Sequence, residues 1–210
     1  MPKTTQIPAP STPSTSAAAS AASTRLARIV TETSAPAVLV GILLLLQPLL
    51  SPGVIWGQGI VAALFTVGLP FAGILWLKRR GSVTDHHVGV RTQRAPILAA
   101  SAVSLGIGAL ILLLLDAPAA LFGEIGGVFI GMMLCLAANL VWKLSVHSAV
   151  AAYVGLSLLA PIPAFGAALV LLLASVTGWS RVKLGDHTPT QVLAGHAAGC
   201  LAFAAAMLLP

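Results

Sequence analysis

Long apolar runs dominate this chain, and short breaks rich in proline, glycine or charge separate them. With 58% hydrophobic and only 8% charged residues, the sequence carries more apolar surface than one soluble core of this length could bury. A helix needs about 20 apolar residues to cross a bilayer. The runs therefore predict an all-α, polytopic transmembrane helix bundle with about seven spans: 29–50, 54–77, 96–115, 119–141, 147–160, 162–179 and 190–209.

The N-terminal segment differs in composition from the rest. Residues 1–28 are rich in Ala, Ser, Thr and Pro and show no apolar periodicity, which predicts a disordered tail. Residues 29–210 then form a single transmembrane domain. On its fourth span, Gly123, Gly127 and Gly131 form a row of small residues that predicts a close helix contact. Assembly into a homo-oligomer is compatible with the sequence.

The basic residues lie in the breaks between apolar runs. The net charge is +6, but nucleic-acid binding requires a basic face on a folded surface, so we expect no nucleic-acid partner. With seven crossings, the segments 78–94, 143–147 and 180–191 share one membrane face with the N-terminal tail. The positive-inside rule predicts that this face is cytoplasmic. We therefore expect an integral protein of the plasma membrane with its C-terminus outside.

The charged breaks combine basic and imidazole groups with few carboxylates. Arginine binds phosphate oxygens in a bidentate manner, and lysine adds a point charge. Helix starts at Ser145 and Thr188 would add backbone N–H groups that attract anions. The sequence has no His-x3-His or Cys-x2-Cys spacing to favour a metal. The pattern therefore favours an anionic ligand.

Two of these breaks resemble known motifs. "KLSVH" (143–147) and "SRVKLGDHTPTQ" (180–191) are similar to the second and third signature motifs of the type 2 phosphatidic acid phosphatase superfamily. Those motifs usually read Pro-Ser-Gly-His and Ser-Arg-x5-His-x3-Asp. The spacing Ser180–Arg181–x5–His187 matches, and two apolar spans separate the two motifs, as in the family.

The resemblance implies a metal-free and cofactor-free hydrolysis of a lipid phosphate or diphosphate. In that reaction His187 attacks phosphorus to form a phosphohistidine. His147 protonates the leaving oxygen and later activates water, and Gln191 stands where the family has the aspartate that orients the nucleophile. The phosphate-binding residues implied by the resemblance are Lys143, Ser145, Ser180, Arg181 and Arg94.

The chain departs from the family at several positions. Leu144 and Val146 replace the usual proline and glycine, and the first motif, Lys-x6-Arg-Pro, is not present, so Arg94 carries over only from its place near Pro96. Thr188-x-x-Gln191 also has the form of a capping box, so Gln191 has both a structural and an orienting interpretation. Asp186 is an alternative orienting group.

Three functions are consistent with this pattern. The first is a membrane lipid phosphatase acting on phosphatidate, an isoprenyl diphosphate or a polyprenyl-linked phosphate. The second is a lipid-phosphate binding or transport protein whose catalysis is weakened by the departures. The third is a structural membrane protein with basic loops. Release of phosphate separates the first from the others.

Overall fold

A computed structural model describes residues 15–80 and 91–209, and every regular element in that part of the chain is helical. A π-helical turn, Leu64–Gly68, joins α4 to α5 without a break. The all-α class predicted from the sequence is confirmed. The helices are α1 (Thr15–Thr33), α2 (Pro36–Leu45), α3 (Gln47–Leu50), α4 (Trp56–Ala63), α5 (Leu69–Arg79), α6 (Arg91–Leu114), α7 (Ala119–Val141), α8 (Val146–Leu158), α9 (Gly166–Lys183) and α10 (Pro189–Ala206).

Two helical stretches are long and apolar enough to cross a membrane. They are Trp56–Leu77 and Ala119–Val141. A third exists if Ala19–Thr33 and Pro36–Leu45, which meet at an angle of 44°, form one bent span. Helix α8 has 13 residues, fewer than the roughly 20 that a straight crossing requires. The described residues thus give two or three candidate spans, and the predicted seven are not confirmed.

The N-terminal part of the chain differs from the prediction. Helix α1 begins at Thr15, so residues 15–28 are helical where a disordered tail was expected, while residues 1–14 lie outside the described part. Alanine has the highest helix propensity, and Ala27 is fully buried where α1 packs against α9. The expected span 29–50 is broken before Pro36, because a residue that precedes proline disfavours the helical conformation.

The breaks that precede α8 and α10 lie at one end of the bundle, and the break that follows α6 lies at the other. At one end, the Gln58 side chain donates to the carbonyl of Leu115 (2.9 Å), which joins the first turn of α4 to the end of α6. At the other end, the backbone N–H of Ser145 donates to the carbonyl of Gln191 (3.2 Å). The charged breaks before α8 and before α10 therefore lie together, as the sequence predicts.

Glycines allow α10 to pack closely on α7 and α8. A Cβ atom on Gly195 would overlap the carbonyl oxygen of Ser145, and one on Gly199 would overlap that of Ala149. Gly127 packs in the same way against Tyr153 and the end of α10, which confirms the close contact predicted for the small-residue row of α7. This packing fixes the N-termini of α8 and α10 side by side.

Candidate functional site

The two sequence motifs meet at the charged end of the bundle. Besides the backbone bond from Ser145 to Gln191, the ammonium group of Lys143 donates to the carbonyl of Asp186 (2.8 Å). The residues in each pair are more than 40 positions apart in sequence. Segments 143–147 and 180–191 therefore lie together at this end of the bundle, as predicted.

Ser145 starts helix α8 and orients its first turn. Its hydroxyl oxygen accepts from the backbone N–H of Ser148 (3.4 Å) and from the hydroxyl of Ser148 (2.9 Å), and both side chains are fully buried. His147 follows within this turn and is 8% exposed. The first N–H groups of a helix have no partner within the helix and carry its positive dipole end. Ser145 thus positions both His147 and a backbone region suited to an anion.

His187 is oriented by Gln191. The Nδ1 atom of His187 lies 3.2 Å from Oε1 of Gln191. A carbonyl oxygen can only accept a hydrogen bond, so Nδ1 carries the proton and the other ring nitrogen, Nε2, keeps its lone pair. The same Oε1 accepts from the backbone N–H of Thr188 (3.2 Å), and the hydroxyl of Thr188 accepts from the N–H of Gln191. The capping box is confirmed, and it coexists with the bond to His187.

The surroundings of His187 favour its neutral form. Burial lowers the pKa of His187 below its usual value, a hydrogen bond to Gln191 opposes this shift, and the positive charges of Arg181 and Lys143 lower the pKa further. Asp186 acts in the opposite direction. Since an unperturbed histidine has a pKa of about 6.5, His187 is neutral at pH 7. A neutral ring with a free Nε2 lone pair has the form that a nucleophile requires.

Arg181 is the buried cation of the site. It is only 7% exposed, and its Nη1 lies 3.0 Å from a carboxylate oxygen of Asp186. Its buried Nε–H makes no hydrogen bond to any residue in the described ranges. Burial lowers the pKa of Arg181, and the carboxylates of Asp186 and Glu32 oppose that shift. The guanidinium therefore has an unused donor and little water to compensate its charge.

Ser180 has a different position from the one expected. Its hydroxyl is fully buried, donates to the carbonyl of Thr177 (2.7 Å) and accepts from the hydroxyl of Thr31 (3.0 Å). These bonds are within the protein, so Ser180 supports the turn that carries Arg181 and does not face a ligand. Thr31, on α1, was missed by the sequence reasoning, because nothing in its local sequence links it to α9.

Asp186 and Arg94 are two further residues with a predicted role. Asp186 does not orient His187, since its carboxylate is paired with Arg181 and Gln191 already bonds the ring. Arg94 lies in the first turn of α6, and its side chain is not among those described. The preceding loop, with His86 and His87, lies outside the described residues.

An apolar cleft opens beside the start of α8. It has a volume of about 680 Å³ and is bordered by α2, α5, α6, α7, α8 and α10. Its lining extends from Tyr153, in the middle of the bundle, to Val146, the neighbour of His147. Asn139, also on the lining, accepts the N–H of Leu144 (3.1 Å) and so joins the cleft wall to the first motif. The lining of the cleft thus runs along α8 from Tyr153 to the residue beside His147.

Within the described ranges, no three His, Cys, Asp or Glu side chains are grouped as they would be around a metal ion. No protein-family model, curated protein or solved structure matches this chain.

Proposed function

We propose that this chain is an integral membrane phosphatase that hydrolyses a lipid phosphate or diphosphate through a phosphohistidine on His187. The observation that carries the proposal is the bond from Nδ1 of His187 to Gln191, which leaves the lone pair of a neutral imidazole on Nε2 in a ring whose pKa the charge of the buried Arg181 helps to lower. Histidine nucleophiles need this tautomer, and phosphoryl transfer needs a fixed cation beside it.

The reaction has two steps. In the first, Nε2 of His187 forms a bond to phosphorus, the bond from phosphorus to the leaving oxygen breaks, and protonated His147 gives that oxygen its proton. In the second, His147 takes a proton from water, the water oxygen attacks phosphorus, and the bond to His187 breaks. His147 thus serves as general acid and then as general base, the two roles that histidine most often fills in enzymes.

Positive groups near His187 offset the charge on the phosphate oxygens. Arg181 offers its unpaired Nε–H, and Lys143 lies on the same loop cluster, bound to the backbone of Asp186. The N-terminus of α8 adds backbone N–H groups capped only in part by Ser145. Groups of this kind stabilise a transferring phosphoryl without needing to reorganise during the step.

The apolar cleft supports a lipid as the substrate. A phosphate bound at His187 would lie at the charged end of the bundle, and the lining of the cleft includes Val146, the neighbour of His147 at that end. Its volume of about 680 Å³ is typical of ligand cavities, which range over roughly 300–1,000 Å³. Phosphatidate, isoprenyl diphosphates and polyprenyl-linked phosphates each combine a phosphate with such a chain.

Purified protein should release phosphate from at least one lipid of that set in the presence of a chelator, and orthovanadate should inhibit the release. Vanadate resembles pentacoordinate phosphorus and would occupy the position between Nε2 of His187 and the cations. The measurement is phosphate released from a panel of lipid phosphates in detergent micelles, with EDTA present throughout.

Two results would contradict this proposal. A strict requirement for added Mg²⁺ or Zn²⁺ would show that the histidines do not act by this mechanism. Binding of lipid phosphates that yields no phosphate, and that survives replacement of both His147 and His187, would favour the lipid-phosphate binding or transport protein.

We further propose seven crossings, with the site and the N-terminus on the cytoplasmic side of the plasma membrane. All eleven Lys and Arg residues then lie on the site's face, and seven remain after the candidate ligands Arg91, Arg94, Lys143 and Arg181 are set aside. With Cys135 and Cys200 replaced by alanine, a single cysteine at Ser82 should resist a membrane-impermeant thiol reagent in intact cells. Labelling before cell lysis would reverse the orientation.

A further inference from the structure

The ion pair between Arg181 and Asp186 joins two groups of unequal burial. Their atoms Nη1 and Oδ2 are 3.0 Å apart, but the side chain of Arg181 is 8% exposed while that of Asp186 is 43% exposed. A half-exposed carboxylate can rotate into water at small cost, whereas a buried guanidinium cannot leave its place. Asp186 is therefore the partner that can be displaced.

The main chain of Asp186 is held independently of its carboxylate. Its N–H donates to the carbonyl of Arg181 (3.1 Å), and its carbonyl accepts from Lys143 (2.8 Å). Gly185, with a φ of +73°, makes the turn that places this backbone over the end of α9. The carboxylate can thus leave Arg181 and return while the loop stays in position.

We propose that Asp186 sets the phosphate affinity of the site by competing with bound phosphate for Arg181. A carboxylate at Nη1 and a phosphate oxygen at the unpaired Nε–H share one guanidinium charge, so pairing with Asp186 weakens the attraction of Arg181 for phosphate. Binding of phosphate loosens the pair of Arg181 with Asp186, and release of phosphate is assisted when the pair tightens again. This role rests on the proposed phosphatase function, and it makes Asp186 an affinity-determining residue of the site.

The functional consequence is faster release of inorganic phosphate from the site. Inorganic phosphate carries more than one negative charge near pH 7, and it would be bound by Arg181, Lys143 and the start of α8 together. Without a competitor, such a product would leave slowly and occupy the site. Asp186 provides the competing charge from within the chain, at an effective concentration that does not depend on the solution.

The test measures binding of inorganic phosphate by calorimetry to the full-length protein in detergent micelles. Asp186→Asn removes the competing charge but keeps the side-chain size and both backbone hydrogen bonds. Its dissociation constant for phosphate should fall by about three- to ten-fold, the range expected for one charge-assisted pair with a half-exposed partner. In turnover, the inhibition constant of phosphate should fall by a similar factor.

Two variants serve as matched controls. Glu32→Gln removes a carboxylate that acts on Arg181 through space without pairing with it, and phosphate affinity should change less than two-fold, by roughly the size of a screened surface interaction. Asp116→Asn makes the same chemical change in the turn between α6 and α7, at the other end of the bundle, and should have no effect.

The outcomes separate this inference from the proposed function. If Asp186→Asn binds phosphate no more tightly than the unmodified protein, Asp186 is not a competitor, although the phosphate site stands. If Glu32→Gln tightens phosphate binding as much as Asp186→Asn, the effect comes from the overall negative charge near Arg181, and competition by Asp186 is refuted. If none of these proteins binds phosphate, the proposed phosphate site is itself overturned and this inference with it.

Discussion

Replacement of His187 by asparagine is expected to abolish the phosphoenzyme and to lower turnover by at least about 10⁴-fold, as loss of a nucleophile does in other enzymes. The amide of asparagine is not nucleophilic and so cannot replace the imidazole. The measurement is alkaline trapping of labelled protein after exposure to a substrate whose phosphate is labelled, combined with steady-state rates.

Replacement of His147 should have a different signature. Without a general acid and base, turnover should fall by about 10²–10⁴-fold. An aryl phosphate, whose leaving group needs no proton, should still form the phosphoenzyme, which then accumulates because water is not activated. His196→Asn is the control, since His196 lies in α10 outside both motifs, and its turnover should stay near that of the unmodified protein. A labelled phosphoenzyme in His187→Asn would refute the assignment of the nucleophile.

Replacement of Gln191 by alanine is expected to reduce kcat by about 10²-fold or more, because the wrong histidine tautomer alone costs about 10⁴-fold in the Ser-His-Asp triad of serine proteases. Loss of the bond at Nδ1 lets the ring place its proton on Nε2, which removes the attacking lone pair. A change in the charge of His187 is not the cause: the hydrogen bond that Nδ1 donates to Gln191 raises the pKa of His187, so the loss of this bond favours the neutral ring further.

Thr188→Ala provides the matched control for Gln191. Each substitution breaks one half of the capping box and should cost about 1 kcal/mol of stability, but Thr188→Ala leaves the bond between Gln191 and His187 intact. Its melting temperature should fall while kcat stays nearly unchanged. Gln191→Asp should retain or raise activity, since a carboxylate also accepts from Nδ1. Equal kcat values for Gln191→Ala and Thr188→Ala would leave Gln191 with a capping role alone.

The sequence predicts the elements of the site better than their contacts. The spacing of Ser180, Arg181 and His187 places two groups at the end of α9 and one in the turn that follows. Helix starts at Ser145 and Thr188 follow from local capping rules. Such features depend on neighbours within about ten residues. The bond from Gln191 to the ring of His187 is also local, and it was expected as one of two interpretations.

Contacts that depend on one backbone dihedral angle or on how a particular helix packs could not be predicted. The ion pair of Arg181 with Asp186 depends on a positive φ at Gly185, which the sequence allows but does not require. The contact of Thr31 with Ser180 depends on how α1 packs, and a composition rich in Ala and Ser was equally consistent with a disordered tail. The broken first span shows the same limit, because hydropathy averages over Pro36 although proline decides where the helix begins.

The hydrogen bond between Thr31 and Ser180 also sets an order of assembly during biosynthesis. These residues are 149 positions apart. Translation at about 5–20 residues per second therefore separates their synthesis by roughly 7 to 30 s. Helix α1 leaves the ribosome before α9, so the hydroxyl of Thr31 can bond to Ser180 only after α9 has been made. Since Arg181 and His187 are made just after Ser180, segment 180–191 is completed and the first helix is anchored at nearly the same time.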